Sequence, residues 1–218
     1  MFKLDNKTVS TLINLANIKS GILNNNFVKS VDDFNKFHDI KLGIPILIPA
    51  DENLFEFKKE DVFEIDKNKI LSLVYSHGNQ NYIGFKHAFH TFKFLSKIRV
   101  KEEFNKTLGL YTKQNQNTLK KIAKLKTKFK KIGAFQTRNI PHFGHEIIMK
   151  RMLNMCNHLV INPVIGPKKS GDTTVECLNY VFKDLLKKKY RQKMSFEPIL
   201  ANMYYAGPSE AVHHSLIR

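Results

Sequence analysis

Ten residues near the middle of the chain combine the side chain types that hold an anion. Residues 136–145 read QTRNIPHFGH. Arg138 can grip an oxyanion through two parallel hydrogen bonds. Gln136 and Asn139 add neutral amide groups that orient such a ligand. The segment therefore predicts a site for an oxyanion such as phosphate.

Two histidines follow in the same segment. His142 and His145 are three residues apart, so near the start of a helix both imidazoles can face one way. Two imidazoles beside a phosphate can donate hydrogen bonds to charge that develops on its oxygens. Gly144 between them allows a close approach of backbone or ligand. A zinc site would need further ligands in patterns that the sequence lacks, so we predict no protein-bound metal.

The elements that flank this segment predict where it lies in the fold. Ile132–Phe135 is a short apolar run typical of a buried parallel strand, and a helix is predicted from about Gly144 to Met155. A strand-to-helix junction lies at the carboxyl end of a parallel strand, where open α/β sheets bind ligands. The helix start also offers unpaired N–H groups and a positive dipole end, which suit phosphate.

Strand and helix patterns continue to alternate beyond the junction, which predicts an α/β fold with a parallel sheet and right-handed crossovers. The further elements that we predict are a strand at His158–Asn162, a helix over Val175–Leu185, a strand at Phe196–Leu200 and a helix at Pro208–Ile217.

The first half of the chain has a different pattern. Ser30 is predicted to start a short helix, and residues 42–49 (LGIPILIP) an irregular extended segment. Two strands are predicted at Ile70–Tyr75 and Tyr82–Phe85. We therefore expect a mostly β first domain over residues 1–113 and a second domain over 114–218.

A lysine-rich helix is predicted at the boundary, over residues 113–131. Leu119, Ile122, Leu125 and Phe129 recur at helical spacing and predict one buried face. The lysines opposite form either a solvated face or a patch for nucleic acid.

Composition narrows the class of protein without selecting a ligand. The formal net charge of +17, from 36 basic and 19 acidic residues, favours contact with polyanions. The chain has no run of about 18 apolar residues and no secretion signal, so we expect a cytoplasmic protein that does not contact membranes. The two cysteines, Cys156 and Cys177, are interpreted as buried thiols.

Three ordered segments together resemble the ATP sulfurylase (sulfate adenylyltransferase) family. QTRN followed by proline and HFGH is similar to its QTRN…HxGH motif. Residues 162–172 (NPVIGPKKSGD) are similar to its HPLVG…KxGD segment, and residues 203–211 (MYYAGPSEA) to its MRYAGPREA segment. The resemblance implies a partial Rossmann-like nucleotidyltransferase domain. Upstream, residues 43–49 and 82–84 weakly resemble the PUA-like first domain of the family.

The resemblance also implies an activity and a role for each residue of the motif. The substrates would be ATP and sulfate, and the products adenylyl sulfate and pyrophosphate, with Mg²⁺ accompanying the nucleotide. Gln136 and Arg138 would hold sulfate, and Thr137, Arg138 and Asn139 would line the active site. His142 and His145 would stabilise the departing pyrophosphate. In the same comparison, the residues that contact ATP would be Gln136, Thr137, Arg138, Asn139, His142, Gly144 and His145.

The sequence departs from the family pattern at several positions. Ile140-Pro141 moves the proline by one residue, and Tyr204 and Ser209 stand where the family has arginines. The family pattern continues into a GRDHAG loop that the 218 residues do not contain. We therefore expect little or no activity from these 218 residues alone.

Two other functions remain open at this point. One is a nucleotidyltransferase of the wider HxGH group with a different acceptor. The other is a catalytically dead relative that binds nucleic acid. His213 and His214 are interpreted as surface or packing residues. The sequence leaves open whether the chain forms a homo-oligomer.

Overall fold

A computed structural model describes residues 4–38, 40–76, 91–167, 171–190 and 192–218. The chain divides into two compact units. The first comprises residues 1–110 together with 203–218, and the second comprises residues 111–202. Each unit is described separately. The domains predicted at 1–113 and 114–218 stay predictions, because a compact unit and a functional domain are different divisions of a chain.

A three-stranded parallel sheet forms the centre of the second unit, as predicted. Its strands are β3 (Ile132–Phe135), β4 (His158–Ile161) and β5 (Met194–Phe196), in the order β3-β4-β5. All four residues of β4 are buried, which is expected for the central strand of a covered parallel sheet. β5 begins two residues before the predicted strand at Phe196–Leu200, and pairing resumes at Ile199, which bridges Val164.

Helices cover this sheet and supply the apolar core. They are α5 (Phe143–Leu153) and α6 (Val175–Leu185), both close to their predicted bounds, and a π-helical turn at Leu186–Tyr190 continues α6. Thr174 caps α6 by accepting the Cys177 N–H. The buried core consists of Phe135, Met149, Leu159, Ile161, Leu178, Phe182, Leu186 and Met194.

The lysine-rich helix, α4 (Glu102–Lys128), begins 11 residues before the predicted start at residue 113. Its buried side is also shifted, because Leu119 is exposed whereas Asn115 and Thr118 are buried. Asn115 donates to the Leu200 carbonyl and accepts the Leu200 N–H, both at 2.9 Å, and the Thr118 hydroxyl donates to the Pro198 carbonyl. Buried polar side chains are tolerated when they are paired in this way, and an apolar pattern does not reveal them.

The first unit contains α1 (Asn6–Lys19), α2 (Val31–Asn35), α3 (Lys67–Ser76) and α7 (Pro208–Ile217). It also contains the start of α4 and an antiparallel pair of strands, β1 (Val62–Asp66) and β2 (Thr91–Leu95). Short 3₁₀ turns occur at Asn24–Asn26, Lys36–His38, Ile40–Leu42 and Lys59–Asp61. Two helix starts match the sequence: Ser30 caps α2 by accepting the Asp33 N–H, and Pro208 lies in the first turn of α7.

The predicted strand at Ile70–Tyr75 is wrong, because these residues lie in α3. Asp66 accepts the Asn68 N–H at 2.7 Å, which stabilises the turn into this helix. Ile70 and Leu73, three residues apart, are then buried on one helix face. The other predicted strand, Tyr82–Phe85, lies outside the described residues.

The prediction of a mostly β first domain is also wrong for residues 4–38, 40–76 and 91–113, where helix residues outnumber strand residues. The PUA-like assignment stays a prediction. Within the predicted extended segment, Leu42 ends a 3₁₀ turn, and residues 43–49 are irregular, with isolated bridges from Ile46 to Phe27 and from Pro49 to Phe94.

The two cysteines are free thiols, and their predicted burial is wrong for Cys177, which is exposed, whereas Cys156 is half-buried. Among the residues described, we find no helix whose length and apolar character would let it cross a membrane.

Candidate active site

The QTRN and HFGH residues lie on one strand-to-helix junction. β3 ends at Phe135 and α5 begins at Phe143, so residues 136–142 leave the carboxyl end of a parallel strand and enter a helix start. Open α/β sheets bind ligands at this edge, and a helix start favours anions. The predicted placement of the segment between strand and helix is confirmed.

The two histidines of the motif cap α5 together. The extended backbone of His142 lets its Nδ1 accept the Gly144 N–H at 3.1 Å, and His145 Nδ1 accepts the His142 N–H at 3.4 Å. This reciprocal arrangement is a capping box built from two imidazoles instead of serine and glutamate. The ring centroids are 3.9 Å apart. The structure therefore brings His142 and His145 together through backbone contacts of the motif itself.

This capping fixes the side of the His142 ring that can donate. Because Nδ1 accepts a backbone N–H, the neutral ring carries its proton on Nε2. Burial lowers the pKa of His145, and the proximity of His142 lowers it further, against the opposing effect of the Ile140 carbonyl. His145 is therefore a neutral imidazole near pH 7. His145 therefore offers an anion a hydrogen bond rather than a full positive charge.

Gly144 has a specific steric role. A Cβ added there would lie 3.1 Å from Cε1 and 3.3 Å from Nδ1 of His142. Any larger residue would press on the capping imidazole, so the glycine preserves the paired histidine arrangement. The close approach predicted at this glycine is made by the His142 ring.

The QTRN residues form a turn that Thr137 closes. The buried Thr137 hydroxyl donates to the Asn139 carbonyl at 3.1 Å, and its oxygen accepts the Asn139 N–H at 3.0 Å. Thr137 therefore shapes the loop. Gln136 and Arg138, on either side of it, are half-buried, and the Asn139 side chain is exposed.

A cleft of about 440 Å³ opens beside the helix start, between α5 and the end of α6. Its described lining consists of Pro141, His142, Phe143, Glu146, Val181, Asp184, Leu185, Lys188 and Lys189. Among the predicted site residues, His142 lines the cleft; residues 136–139, Gly144 and His145 are not among its described lining residues. The structure thus separates the QTRN turn from the lining of this cleft.

Four charged residues of the cleft were missed by the sequence analysis. Lys189 Nζ lies 2.8 Å from Glu146, and Lys188 Nζ lies 2.9 Å from Asp184. The hydrogen bond from Lys189 holds the pKa of Glu146 below its usual value. The π-helical turn brings Lys189 to Glu146 of α5, and such turns recur at functional sites. The available signal was the run of lysines at 187–189 directly after an amphipathic helix.

Comparison with known proteins identifies the family. The ATP-sulfurylase family model matches residues 111–218. A sulfate adenylyltransferase from Ignicoccus hospitalis is 30% identical over 207 residues, which cover 83% of this chain and 53% of the relative. One from Thermococcus onnurineus is 27% identical over 99% of this chain and 63% of its own length. One from Staphylothermus marinus reaches 44% identity over 42% of this chain and 24% of the relative.

The chain belongs to the ATP sulfurylase family. It spans 53% of the Ignicoccus hospitalis relative and 63% of the Thermococcus onnurineus one.

The segment that resembles the family's MRYAGPREA sequence wraps around a buried carboxylate in the first unit. Glu210 accepts the backbone N–H groups of Tyr204 and Ala206 at 3.1 Å, and His214 Nε2 lies 2.9 Å away. Burial raises the pKa of Glu210, but His214 and the N–H donors outweigh it, and the net shift is downward. Tyr205, with φ 56°, supplies the left-handed turn that this wrapping requires.

Both positions where ATP sulfurylases carry arginine in this segment are used for packing here. The Tyr204 hydroxyl donates to Asn14 Oδ1 at 2.7 Å, and Ser209 is fully buried. His213 and His214 are likewise buried rather than on the surface. His213 accepts the Ile44 N–H, and burial lowers its pKa to about 4. Of the two interpretations of this pair, surface or packing residues, the structure supports packing.

The segment that resembles HPLVG…KxGD packs against the continuation of β5. Asn162 donates to the Glu197 carbonyl at 2.8 Å. A Cβ at Gly166 would lie 2.1 Å from the Ala201 carbonyl oxygen, so only glycine permits this backbone contact. Lys168 and Lys169 lie outside the described residues.

Proposed function

We propose that this chain carries the anion-binding junction of a sulfate adenylyltransferase. The reaction would be ATP plus sulfate giving adenylyl sulfate plus pyrophosphate. The observation that supports this most directly is the pair of imidazoles capping α5 at the carboxyl edge of a parallel sheet, beside an arginine-containing turn. The relatives that match the chain carry the name sulfate adenylyltransferase.

The chemistry requires positioning more than proton transfer. A sulfate oxygen attacks the α-phosphorus and forms the new P–O bond, while the bond from the α-phosphorus to the β-bridging oxygen breaks and its electrons leave with pyrophosphate. Sulfate is already ionised at neutral pH, so no general base is needed. The protein must hold two mutually repelling anions in line and stabilise charge on the leaving group.

The residues of the junction divide between these two tasks in this proposal. Gln136 and Arg138 hold sulfate, and the Thr137 turn sets their separation. His142 donates through Nε2 to the pyrophosphate oxygens, and His145 assists as a neutral donor. Preorganised donors of this kind typically contribute about 10²–10³-fold each to a rate.

Magnesium has no fitting protein site at this junction. Among the described residues, no three or more histidine, cysteine, aspartate or glutamate side chains cluster as metal ligands do. The two carboxylates of the cleft, Glu146 and Asp184, are each paired with a lysine. Magnesium bound to ATP commonly takes its ligands from the nucleotide and water, so no step is assigned to it here.

Isotope exchange tests the proposed reaction. Labelled pyrophosphate should enter ATP only when sulfate is present, in the longest form of the protein that its gene encodes. The 218-residue chain alone is expected to show little or no exchange. Exchange that ignores sulfate but responds to another acceptor would replace this reaction by that of a different HxGH-type nucleotidyltransferase.

A further inference from the structure

A row of lysines runs along α4 within the second unit. Residues 111–131 contain eight lysines and no acidic residue. Lys113, Lys120, Lys124 and Lys128 are spaced by seven, four and four residues, so they lie on one side of the helix. All four are exposed. At the rise of an α-helix the row is about 22 Å long.

The row lies opposite the packed side of the helix. The buried or half-buried residues of this segment include Asn115, Thr118, Ile122 and Leu125. Asn115 and Thr118 are bound to the backbone after β5, which fixes the rotation of the helix. These contacts therefore set the direction in which the lysine row faces.

The charges in the row are not neutralised within the part of the chain that the structure describes. Lys121, outside the row, pairs with Glu197 at 3.2 Å, whereas none of the four row lysines lies within 4.0 Å of a described carboxylate. Lys120 and Lys124, like Lys124 and Lys128, are four residues apart, and like charges at this spacing repel each other. An external polyanion would relieve that repulsion.

The neighbouring side chains favour a duplex over a single strand. Proteins that hold single-stranded nucleic acid present exposed aromatic rings on which bases stack. The two aromatic residues between 111 and 131 are half-buried, and Phe129 is stacked on His158 at 4.5 Å. Exposed amides from Gln114, Gln116 and Asn117 add hydrogen-bond donors for phosphate oxygens.

A membrane surface fits less well. An amphipathic helix that binds lipid inserts its apolar face into the bilayer. In α4 that face is occupied by packing against its own unit.

We propose that the lysine row of Lys113, Lys120, Lys124 and Lys128 binds the phosphate backbone of double-stranded nucleic acid without sequence preference. This binding is a further function, separate from the proposed adenylyl transfer.

Fluorescence anisotropy with the 218-residue chain and a labelled 24-base-pair duplex tests the proposal. Each phosphate contact contributes about −0.9 to the slope of log affinity against log salt, so four contacts predict about −3.6. Raising salt from 50 to 200 mM should then weaken binding about a hundredfold. Replacing the four lysines by glutamine should bring the slope close to zero. Glutamine keeps helix propensity near that of lysine, and circular dichroism checks the fold.

A variant with the same loss of charge provides the control. Lys19, Lys69, Lys183 and Lys193 are exposed elsewhere, and changing all four to glutamine should leave the slope largely intact. If the slope fell equally in the two variants, total charge rather than the lysine row would account for binding, and the proposal would be overturned. Equal or tighter binding of a 24-nucleotide single strand would overturn it too.

Two further measurements complete the test. Binding to phosphatidylserine vesicles without binding to the duplex would overturn the proposal and identify a membrane surface as the ligand of the lysine row. Sulfate-dependent exchange should be unchanged when the same four substitutions are made in the longest form of the protein that its gene encodes, so failure of duplex binding and failure of the adenylyl-transfer proposal are distinguishable.

Discussion

Two pairs of histidines in this chain lie at opposite extremes of environment. His142 and His145 cap the start of α5, where one ring is exposed and the other half-buried. His213 and His214 lie inside α7 and are 0% and 4% exposed. A helix start leaves backbone N–H groups that orient a ring and keep its far nitrogen available, whereas a helix interior packed on its unit does not. Position in the helix, rather than residue type, therefore separates the histidines that we propose to contact ligand from those that are buried by packing.

The largest effect that this comparison predicts is on catalysis at the exposed pair. His142→Asn keeps a good capping side chain but removes the Nε2–H donor. In the longest form of the protein that its gene encodes, sulfate-dependent exchange should fall about 10²–10³-fold, while the free energy of unfolding changes by less than about 1 kcal/mol. Ile148→Gln, on the exposed side of α5, is the matched control and should keep its activity. Undiminished exchange in His142→Asn would remove the histidine from the proposed mechanism.

The buried pair should show the reverse pattern. His213→Ala leaves the buried Ile44 N–H without its acceptor and opens a cavity. We expect a loss of about 2–4 kcal/mol in the free energy of unfolding, measured by urea denaturation. At urea concentrations below the unfolding transition, the affinity for pyrophosphate should be unchanged. A variant as stable as the parent would show that His213 does not support this unit.

The acid sensitivity of folding sharpens the same contrast. Burial lowers the pKa of His213 to about 4 from the usual 6.5, so between these values the unfolded chain binds more protons. The stabilisation is complete above pH 6.5 and is lost as the pH falls toward 4, by about 3 kcal/mol in all. His214, Glu210 and Tyr204 face this ring. The depressed pKa of Glu210 acts in the same direction.

Denaturation of His213→Asn at several pH values isolates this contribution. The slope of unfolding free energy against pH between 6.5 and 4 should be smaller than in the parent. Identical slopes would assign the acid sensitivity to Glu210 and other carboxylates.

The smallest predicted effect is at the cleft beside His142. Lys189→Gln removes a cation held 2.8 Å from Glu146. Pyrophosphate affinity should fall several-fold, whereas stability should change by less than about 1 kcal/mol because the ion pair is exposed. Lys187→Gln removes a lysine of the same turn that does not line the cleft. Calorimetric titration should distinguish the two variants, and equal losses would indicate a nonspecific charge effect.

Local patterns predicted the second unit better than the first, for a physical reason. The strand β3 and the helix α6 follow directly from apolar spacing, and the QTRN and HFGH residues identified the junction. The first unit depends on contacts between distant residues. Ile44 pairs with His213, and Tyr204 pairs with Asn14, 190 residues apart. No local pattern shows such pairs.

The candidate site shows the same limit. The sequence predicted that His142 and His145 lie together, because a spacing of three residues is less than one helix turn. Lys189 and Glu146 are 43 residues apart in the chain, and a π-helical turn that no local pattern predicts brings them into contact. The buried face of α4 was predicted incorrectly for a similar reason. Hydrogen bonds from Asn115 and Thr118 to the backbone after β5 determine which side of the helix is buried, and the spacing of apolar residues does not reveal them.

Histidine side-chain nitrogen spectra of the 218-residue chain, recorded during titration with inorganic pyrophosphate, test the central claim most directly. The account predicts that the Nε2 signals of His142 and His145 move together and saturate at one dissociation constant, while those of His213 stay fixed. Signals of His142 and His145 that remain unmoved at saturating pyrophosphate, or equal shifts in all histidines, would contradict it.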